Sequence, residues 1–343
     1  MASWFNEFRF RTLQNMRHLI VALGALLCWG IAHSQVDSAL VWPQPPDKPR
    51  IRFVETISST QPFKKESGGL FSKIAGFLFG DNQDHTSIVQ PVGIGVGTEG
   101  VIYVTDPGAH GIHVFNRVTK EYDFISETKL GKFRSPVGIA IAPDRTMYVS
   151  DSERGDIMVF NEDRDAQYSF KDNLMRPAGM AIVSGRLYVA DPGRQKIVMF
   201  DLKGRYIGEF GQRGNGDGEF NFPIALAVSK SLYVVDALNY RIQEFDSVGK
   251  ALFKFGRQGN AGGSFSSPKS VALDSDGNIY VSDALMDNFQ IFNKSGELLL
   301  VVGKQGDANG RFMSPGGIAI DRNNEIYIVD MLNKRVQIFQ YLK

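Results

Sequence analysis

The 343-residue sequence is close to electrically neutral, with 38 basic residues, 37 acidic residues and a formal net charge of +1. A dedicated nucleic-acid binder usually has a basic excess, because contacts with phosphate supply most of its affinity. The composition therefore argues against a nucleic-acid partner. The single cysteine, Cys28, excludes a disulfide within the chain and a zinc site built from several thiolates.

The first 34 residues have the pattern of a secretory signal peptide. Arg9, Arg11 and Arg17 precede an apolar run at 19–32, and small or polar residues follow that run. The run is shorter than the roughly 20 residues that a membrane-spanning helix needs. We therefore expect a signal peptide at 1–34 and a periplasmic or secreted protein, with an uncleaved membrane anchor as the alternative. The proline-rich lead-in at 35–50 favours an extended chain.

Residues 58–90 form an insertion between an isolated strand-like segment at 51–57 and the first repeat described below. Within it, apolar residues recur at the spacing of one helix face. These residues are Leu70, Phe71, Ile74, Phe77 and Leu78. A helix packed against the domain and a helix that docks on a protein partner or peripherally on a membrane are both open interpretations, beside simple disorder.

Six similar units follow, with a period of 40 to 47 residues. Each unit has a proline, then a tyrosine three residues before an aspartate, then a phenylalanine nine residues after it. The prolines are Pro91, Pro136, Pro177, Pro223, Pro268 and Pro315. The aspartates are Asp106, Asp151, Asp191, Asp236, Asp283 and Asp330. A repeat of this length indicates an array of like structural units.

Each unit contains four short β-type runs separated by turn residues, which predicts one four-stranded antiparallel propeller blade. The run after the proline is rich in small residues, so we expect it to lie innermost, where six strands converge. The sixth unit ends before any fourth strand, and the segment at 51–57 has no partner in its own unit. We therefore predict an all-β, six-bladed propeller at 51–343 that the N-terminal strand closes.

The repeat resembles the NHL family of six-bladed propellers. The segments at 236–245 and 330–339 match its signature, and the Gly-rich linkers at 211–223, 256–268 and 303–315 match its linker pattern. The first three units depart from the signature, because Ala109, Arg154 and Arg194 stand where the family has asparagine. The resemblance implies an exported propeller whose linkers and inter-strand loops open onto the same face.

The sequence offers little support for catalysis. An aspartate at the end of a strand accepts hydrogen bonds from the turn that follows, so we interpret the six repeated aspartates as structural. The six inner strands contain neither histidine nor carboxylate. His113 takes the station of Gln243, Gln290 and Gln337 and is expected on a strand surface. We therefore predict no metal site, no cofactor and no catalytic residues; a metal-dependent lyase or hydrolase of the α-amidating lyase or lactonase type is the alternative.

Basic residues concentrate in the linkers and in the loops after the repeated aspartates. Since both are expected on one face, they predict a locally basic binding face. The candidate residues are Arg154, Arg194, Lys196, Arg213, Arg241, Arg257, Lys304 and Arg335. We predict a non-catalytic scaffold outside the cytoplasm that binds a protein, a peptide or an anionic glycan through this face.

Overall fold

The computed structural model describes residues 40–58, 63–65 and 87–343. The predicted signal peptide and the five apolar residues of the predicted docking helix lie outside these residues. Within the described ranges there is no α-helix, and two 3-10 turns occur at Thr98–Gly100 and Ala237–Asn239. Neither turn is long and apolar enough for a helix that crosses a membrane.

The strands form six antiparallel sheets, which we number as blades 1 to 6 in chain order. Blade 1 has Gly93–Val96, Val101–Asp106, Gly111–Asn116 and Glu121–Ile125. Blade 2 has Pro136–Ile141, Met147–Asp151, Asp156–Phe160 and Ala166–Phe170. Blade 3 has Met180–Val183, Arg186–Asp191, Lys196–Asp201 and Tyr206–Phe210.

The later blades repeat the same order. Blade 4 has Pro223–Val228, Leu232–Asp236, Arg241–Phe245 and Ala251–Phe255. Blade 5 has Pro268–Leu273, Ile279–Asp283, Asn288–Phe292 and Leu298–Val302. Blade 6 has Pro315–Ile320, Glu325–Asp330, Arg335–Tyr341 and the early strand Ile51–Ile57. The prediction of six four-stranded blades is confirmed.

Three short additions extend this framework. Lys64–Lys65 pairs in parallel with the outer strand of blade 1, and Val41–Trp42 pairs with Ile51–Ile57 at the outer edge of blade 6. A small hairpin, Glu127–Thr128 with Gly131–Lys132, lies between blades 1 and 2. The two edge strands cover backbone groups that would otherwise remain unpaired.

The innermost strands of neighbouring blades contact one another in a closed cycle from blade 1 to blade 6 and back to blade 1. Small residues permit this approach. A Cβ atom on Gly93 would lie 2.1 Å from the carbonyl oxygen of Val137 in blade 2, far inside van der Waals contact. The hydroxyl of Thr105 donates a hydrogen bond to the same oxygen at 3.0 Å, so adjacent blades are also joined by polar contacts beside the axis.

The hydrophobic core consists of six layers, and each layer combines buried side chains from two adjacent blades. The repeated tyrosines and phenylalanines supply much of it. Tyr148 and Tyr188 are buried, and their hydroxyl groups donate to the carbonyl oxygens of Leu202 (2.7 Å) and Ser247 (3.0 Å) in the next blade. Each tyrosine ring thereby packs against the neighbouring blade while its hydroxyl group keeps a hydrogen-bond acceptor.

The ring closes as predicted, because Ile51–Ile57 pairs antiparallel with Arg335–Tyr341. Arg117 of blade 1 adds a polar contact across this closure. Its guanidinium donates to Glu325 of blade 6 at 2.7 Å and to Glu55 of the closing strand at 2.7 Å. It also donates to the hydroxyl group of Tyr327 at 3.0 Å. One side chain thus links both ends of the propeller.

We predict that Arg117→Met lowers the free energy of unfolding by about 2 kcal/mol, since it leaves two partly buried carboxylates without their cation. Burial favours the neutral form of Glu325, but hydrogen bonds from Arg117 and Tyr327 outweigh it and hold its pKa below the ordinary value. This contribution is therefore complete above the ordinary glutamate pKa of about 4.3 and disappears as the pH falls through the lower native value.

Urea unfolding of wild type and variant near neutral pH and in acid measures both effects. The difference between the two proteins should shrink in acid. Lys203→Met, at an exposed lysine in the corresponding loop of blade 3, should change stability by less than about 0.5 kcal/mol. An equal loss in both variants would contradict a role for Arg117 in closure.

Candidate binding face

The strand order brings two kinds of connection to one face of the propeller, here called the loop face. The first kind joins the second and third strands of a blade, and the second kind is the linker from an outer strand to the next inner strand. The first kind occupies 107–110, 152–155, 192–195, 237–240, 284–287 and 331–334. The described linkers occupy 126–135, 171–179, 211–222, 256–267 and 303–314.

The six repeated aspartates position these connections. Each is fully buried at the end of a second strand. Asp106 accepts hydrogen bonds from the amides of Val89 (2.7 Å) and Gln90 (2.9 Å), which directly precede the first inner strand. Asp283 accepts in the same way from Ser266 (2.7 Å) and Ser267 (2.9 Å). Each carboxylate therefore ties the end of a linker to the end of the second strand.

The linker amides are the partners that sequence reasoning missed, since it expected only the amides of the following turn. Those turn amides also donate, as Ala109 does to Asp106 at 2.9 Å. Burial favours the neutral form of Asp106. The hydrogen bonds from His113 and from three backbone amides outweigh burial and hold the pKa of Asp106 below its ordinary value. The narrow range of 13 to 15 residues from each proline to its aspartate was the sequence signal for this contact.

Two of the predicted binding residues lie inside the protein. Arg241 donates to Asp236 (2.8 Å), and its remaining nitrogens donate to the carbonyl oxygens of Asn215 (2.7 Å), Gly216 (2.8 Å) and Glu219 (2.8 Å) in the linker. Arg335 repeats this arrangement on Asp330 and its own linker. Each guanidinium group is buried and makes four hydrogen bonds within the chain, so its main role is to brace the linker.

Three others lie on the loop face and are engaged in ion pairs. Arg154 pairs with Asp156 at 2.7 Å. Arg194 and Lys196 both pair with Glu209. Burial favours the neutral form of Glu209, but hydrogen bonds from Lys196 and Arg194 outweigh it and keep its pKa below the ordinary value.

The last three of the eight predicted binding residues are Arg213, Arg257 and Lys304. All three are exposed, and no ion pair joins them to any part of the chain that the structure describes. They stand near the starts of the three Gly-rich linkers, which share one conformation. Each linker crosses itself in a short parallel bridge, Arg213 with Phe220, Gln258 with Phe265 and Gln305 with Phe312. Arg257 and Lys304 therefore hold the same station in the linkers to blades 5 and 6, whereas Arg213 stands one residue later in the linker to blade 4, at the station of Gln258 and Gln305.

Glycine and phenylalanine explain why these linkers hold their shape. Gly256 has a φ of +99°, and a Cβ atom there would lie 2.5 Å from the ring of Phe265. Phe265 is fully buried, as are its counterparts Phe220 and Phe312. The ring anchors the linker against the blade, and the glycine allows the chain to turn over it.

An open depression of about 520 Å³ lies on the loop face and is lined by blade 4 and by the linkers before and after it. Its apolar wall includes Leu238, Tyr240 and Phe255, and its polar rim includes Arg257 and Gln258. Lys254 also borders the depression but pairs with Asp217 at 2.5 Å. Arg257 is therefore the cation on this rim that has no ion pair within the described residues.

The expected position of His113 on a strand surface was wrong, because the side chain is fully buried. Its Nε2 lies 3.2 Å from Asp106, and its Nδ1 lies 3.0 Å from the hydroxyl group of Tyr122. In blades 4 and 6 the amide nitrogens of Gln243 and Gln337 donate to the corresponding aspartates at 3.2 and 3.1 Å. The imidazole replaces that donor, so it supports the structural carboxylate of blade 1.

Metal-binding side chains do not converge in the described part of the chain, where no group of three or more His, Cys, Asp or Glu residues could hold an ion. His110, the other histidine near His113 in sequence, lies with Nδ1 2.6 Å from the carbonyl oxygen of Arg134. The two histidines thus have separate structural partners.

Comparisons with known proteins agree with this architecture. A family model described as a 6-bladed β-propeller matches residues 170–254 and 269–341, which contain nearly all of blades 3 to 6. That description does not extend to NHL repeats, so the resemblance to the NHL family stays a prediction. No curated protein sequence matches the chain.

Solved structures show the same fold at low sequence identity. An auxiliary nutrient binding protein from Bacteroides thetaiotaomicron is 14% identical with a TM-score of 0.59, covering 75% of this chain and 70% of that one. A catalytically inactive virginiamycin B lyase from Staphylococcus aureus with quinupristin is 13% identical with a TM-score of 0.55, covering 76% and 97%. Likeness at this level concerns the fold alone. The chain is a six-bladed β-propeller.

We predict that His113→Gln changes the free energy of unfolding by less than about 1 kcal/mol, because glutamine supplies the same donor in other blades. His113→Ala should cost about 3 kcal/mol, since it leaves a cavity and removes the partner of Tyr122. Chemical unfolding of the two variants measures the difference. Equal losses would show that the ring, and not its hydrogen bond to Asp106, is required.

Blade 5 lacks the arginine brace, because Asn288 stands where blades 4 and 6 have Arg241 and Arg335. The Oδ1 atom of Asn288 is buried and has no hydrogen-bond partner among the residues that the structure describes. Met286 likewise replaces the asparagine of the signature. We predict that Met286→Asn with Asn288→Arg raises stability by about 1 kcal/mol, since it restores charge-assisted contacts to Asp283 and the linker. Differential scanning calorimetry tests this gain, and Met286→Asn alone is the matched control. A double variant less stable than wild type would contradict the prediction.

Proposed function

We propose that this protein is a non-catalytic scaffold that binds a protein or another ligand on the loop face, outside the cytoplasm. The observation that supports it best is the repeated placement of Arg213, Arg257 and Lys304. All three are exposed on conformationally similar linkers, and none forms an ion pair with the described residues. Exposed cations on such linkers, with Arg257 beside an open depression, suit an anionic or polar partner.

The different contacts of the predicted basic residues also support the proposal. Arg241 and Arg335 are bound to the linkers, and Arg154, Arg194 and Lys196 are paired with carboxylates. Of the eight predicted binding residues, Arg213, Arg257 and Lys304 are thus the ones that are exposed and have no ion pair within the described part of the chain. The acidic residues Asp217 and Glu219 of the same region are held by Lys254 and by the linker itself, which reduces their effect on the surface.

Export is part of the proposal and depends on the basic and apolar pattern of residues 1–34. The lyase or hydrolase alternative needs converging ligands or a nucleophile, and no described group of residues specifically favours it. We therefore propose the binding function and no enzymatic one.

Charge reversal tests the assignment of the face. The triple variant Arg213→Glu, Arg257→Glu and Lys304→Glu should lower partner affinity about tenfold or more, because rim charges govern association and several are reversed together. Affinity capture from an extract of the native host, followed by quantitative mass spectrometry, measures the loss.

The matched control reverses Lys203, Lys230 and Lys250, three exposed lysines in connections on the opposite face of blades 3 and 4. It changes the net charge equally and should leave capture unchanged. Circular dichroism should show both variants folded. Equal capture by wild type and the loop-face variant would contradict the proposal.

A further inference from the structure

Blades 4 to 6 expose large apolar side chains on the loop face. We call this set the apolar arc. Its members are Phe222, Leu238, Leu285, Met313 and Leu332. The three leucines occupy the same station in successive loops and are 52%, 74% and 66% exposed. Single exposed apolar residues are common on protein surfaces, whereas a repeated group of them marks an interaction site.

Hydrogen bonds of the loops show that neighbouring members of the arc lie close together. The amide of Leu332 donates to the carbonyl oxygen of Met313 at 3.1 Å. The amide of Leu238 donates to the carbonyl oxygen of Asn221, the residue before Phe222, at 3.0 Å. The amide of Ser314 donates to Asp287 at 2.8 Å, which joins the linker of blade 6 to the loop that carries Leu285.

The apolar arc and the three cations lie in different parts of the loop face. Phe222 and Met313 lie at the ends of linkers, just before inner strands, and the three leucines lie in the loops after the second strands, so the arc lies nearer the propeller axis than the outer strands do. Arg213, Arg257 and Lys304 follow outer strands, so they lie toward the rim. The depression at blade 4 connects the two zones, because Leu238, Phe255 and Arg257 all line it. Apolar and cationic groups therefore repeat together in three successive blades.

We infer that the partner is a polypeptide segment in which a bulky apolar side chain stands close to a carboxylate. This inference depends on the proposed binding function of the loop face. The apolar side chain occupies the depression against Leu238 and Phe255, and the carboxylate pairs with Arg257. Fully desolvated apolar anchors supply most of the affinity in such interfaces, while charges on the rim select the partner and speed its association.

Two other classes of ligand fit the arc less well. A lipid surface would meet the exposed leucines, but it is broad and does not reach into a concave depression. An anionic glycan would meet the cations, but it has few apolar groups to cover five large hydrophobic side chains. A peptide supplies both kinds of group within a few residues.

A random peptide display library, selected against the immobilised full-length protein, tests the inference. We expect enriched sequences to combine Leu, Ile, Phe or Met with Asp or Glu. Synthetic copies of them should bind Leu238→Ser and Arg257→Glu about tenfold more weakly than wild type. Lys230→Glu, an exposed lysine on the opposite face of blade 4, is the matched control and should bind equally well.

Three outcomes would overturn the inference. Enriched peptides could lack acidic residues or bind both variants as well as wild type. In a flotation assay, vesicles of phosphatidylcholine and phosphatidylglycerol could bind the wild-type protein but not the Leu238→Ser variant, which would indicate a lipid surface. Heparin could bind wild type but not Arg257→Glu while selection enriches no peptide; the loop face would then still be a binding face, but its ligand would be a glycan. The proposed function itself fails separately, if the triple charge reversal leaves capture of native partners intact.

Discussion

The buried carboxylate at the end of each second strand is the interaction on which the loop face depends. It accepts hydrogen bonds from the amides that precede an inner strand, as Asp106 does from Val89 and Gln90. Because those amides end the linker, the carboxylate determines where the chain enters the blade to which the aspartate belongs. Six such contacts position six inner strands around one axis. A side chain that a catalytic interpretation would treat as a reactive group thus fixes backbone geometry.

Different blades satisfy this carboxylate with different donors. Arg241 and Gln243 donate to Asp236 in blade 4, whereas His113 donates in blade 1. In blade 5, Asp283 accepts hydrogen bonds from backbone amides. The buried side-chain oxygen of Asn288 in that blade has no hydrogen-bond partner among the described residues. The requirement for donors is constant, while their chemistry varies. This freedom explains how the loops can diverge on the surface while the blades keep a common core.

The repeat period was sufficient to predict the blades, their number and the closing strand, because strand periodicity and the missing fourth strand are local properties of the sequence. The arrangement of the binding face was harder to predict from the sequence. Whether Arg241 faces a ligand or the carbonyl oxygens of its linker depends on a chain segment more than twenty residues earlier. His113 was placed on the surface for the same reason, since alternation along a strand does not show which face a neighbouring blade covers. The depression beside Arg257 is lined by blade 4 together with the linkers on both sides of it, so no single stretch of sequence predicts it.

The closing strand also constrains when the protein can finish folding. Blades 1 to 5 are built from local hairpins, so each can form soon after its own residues emerge. Ile51, however, pairs with Tyr341, and Phe53 pairs with Phe339. These contacts join nearly the first and last strands of the propeller, and they are impossible until residue 341 has been synthesised. A growing chain therefore remains an open arc with an unpaired edge until the third strand of blade 6 has been made, which makes the last step of assembly a long-range docking event.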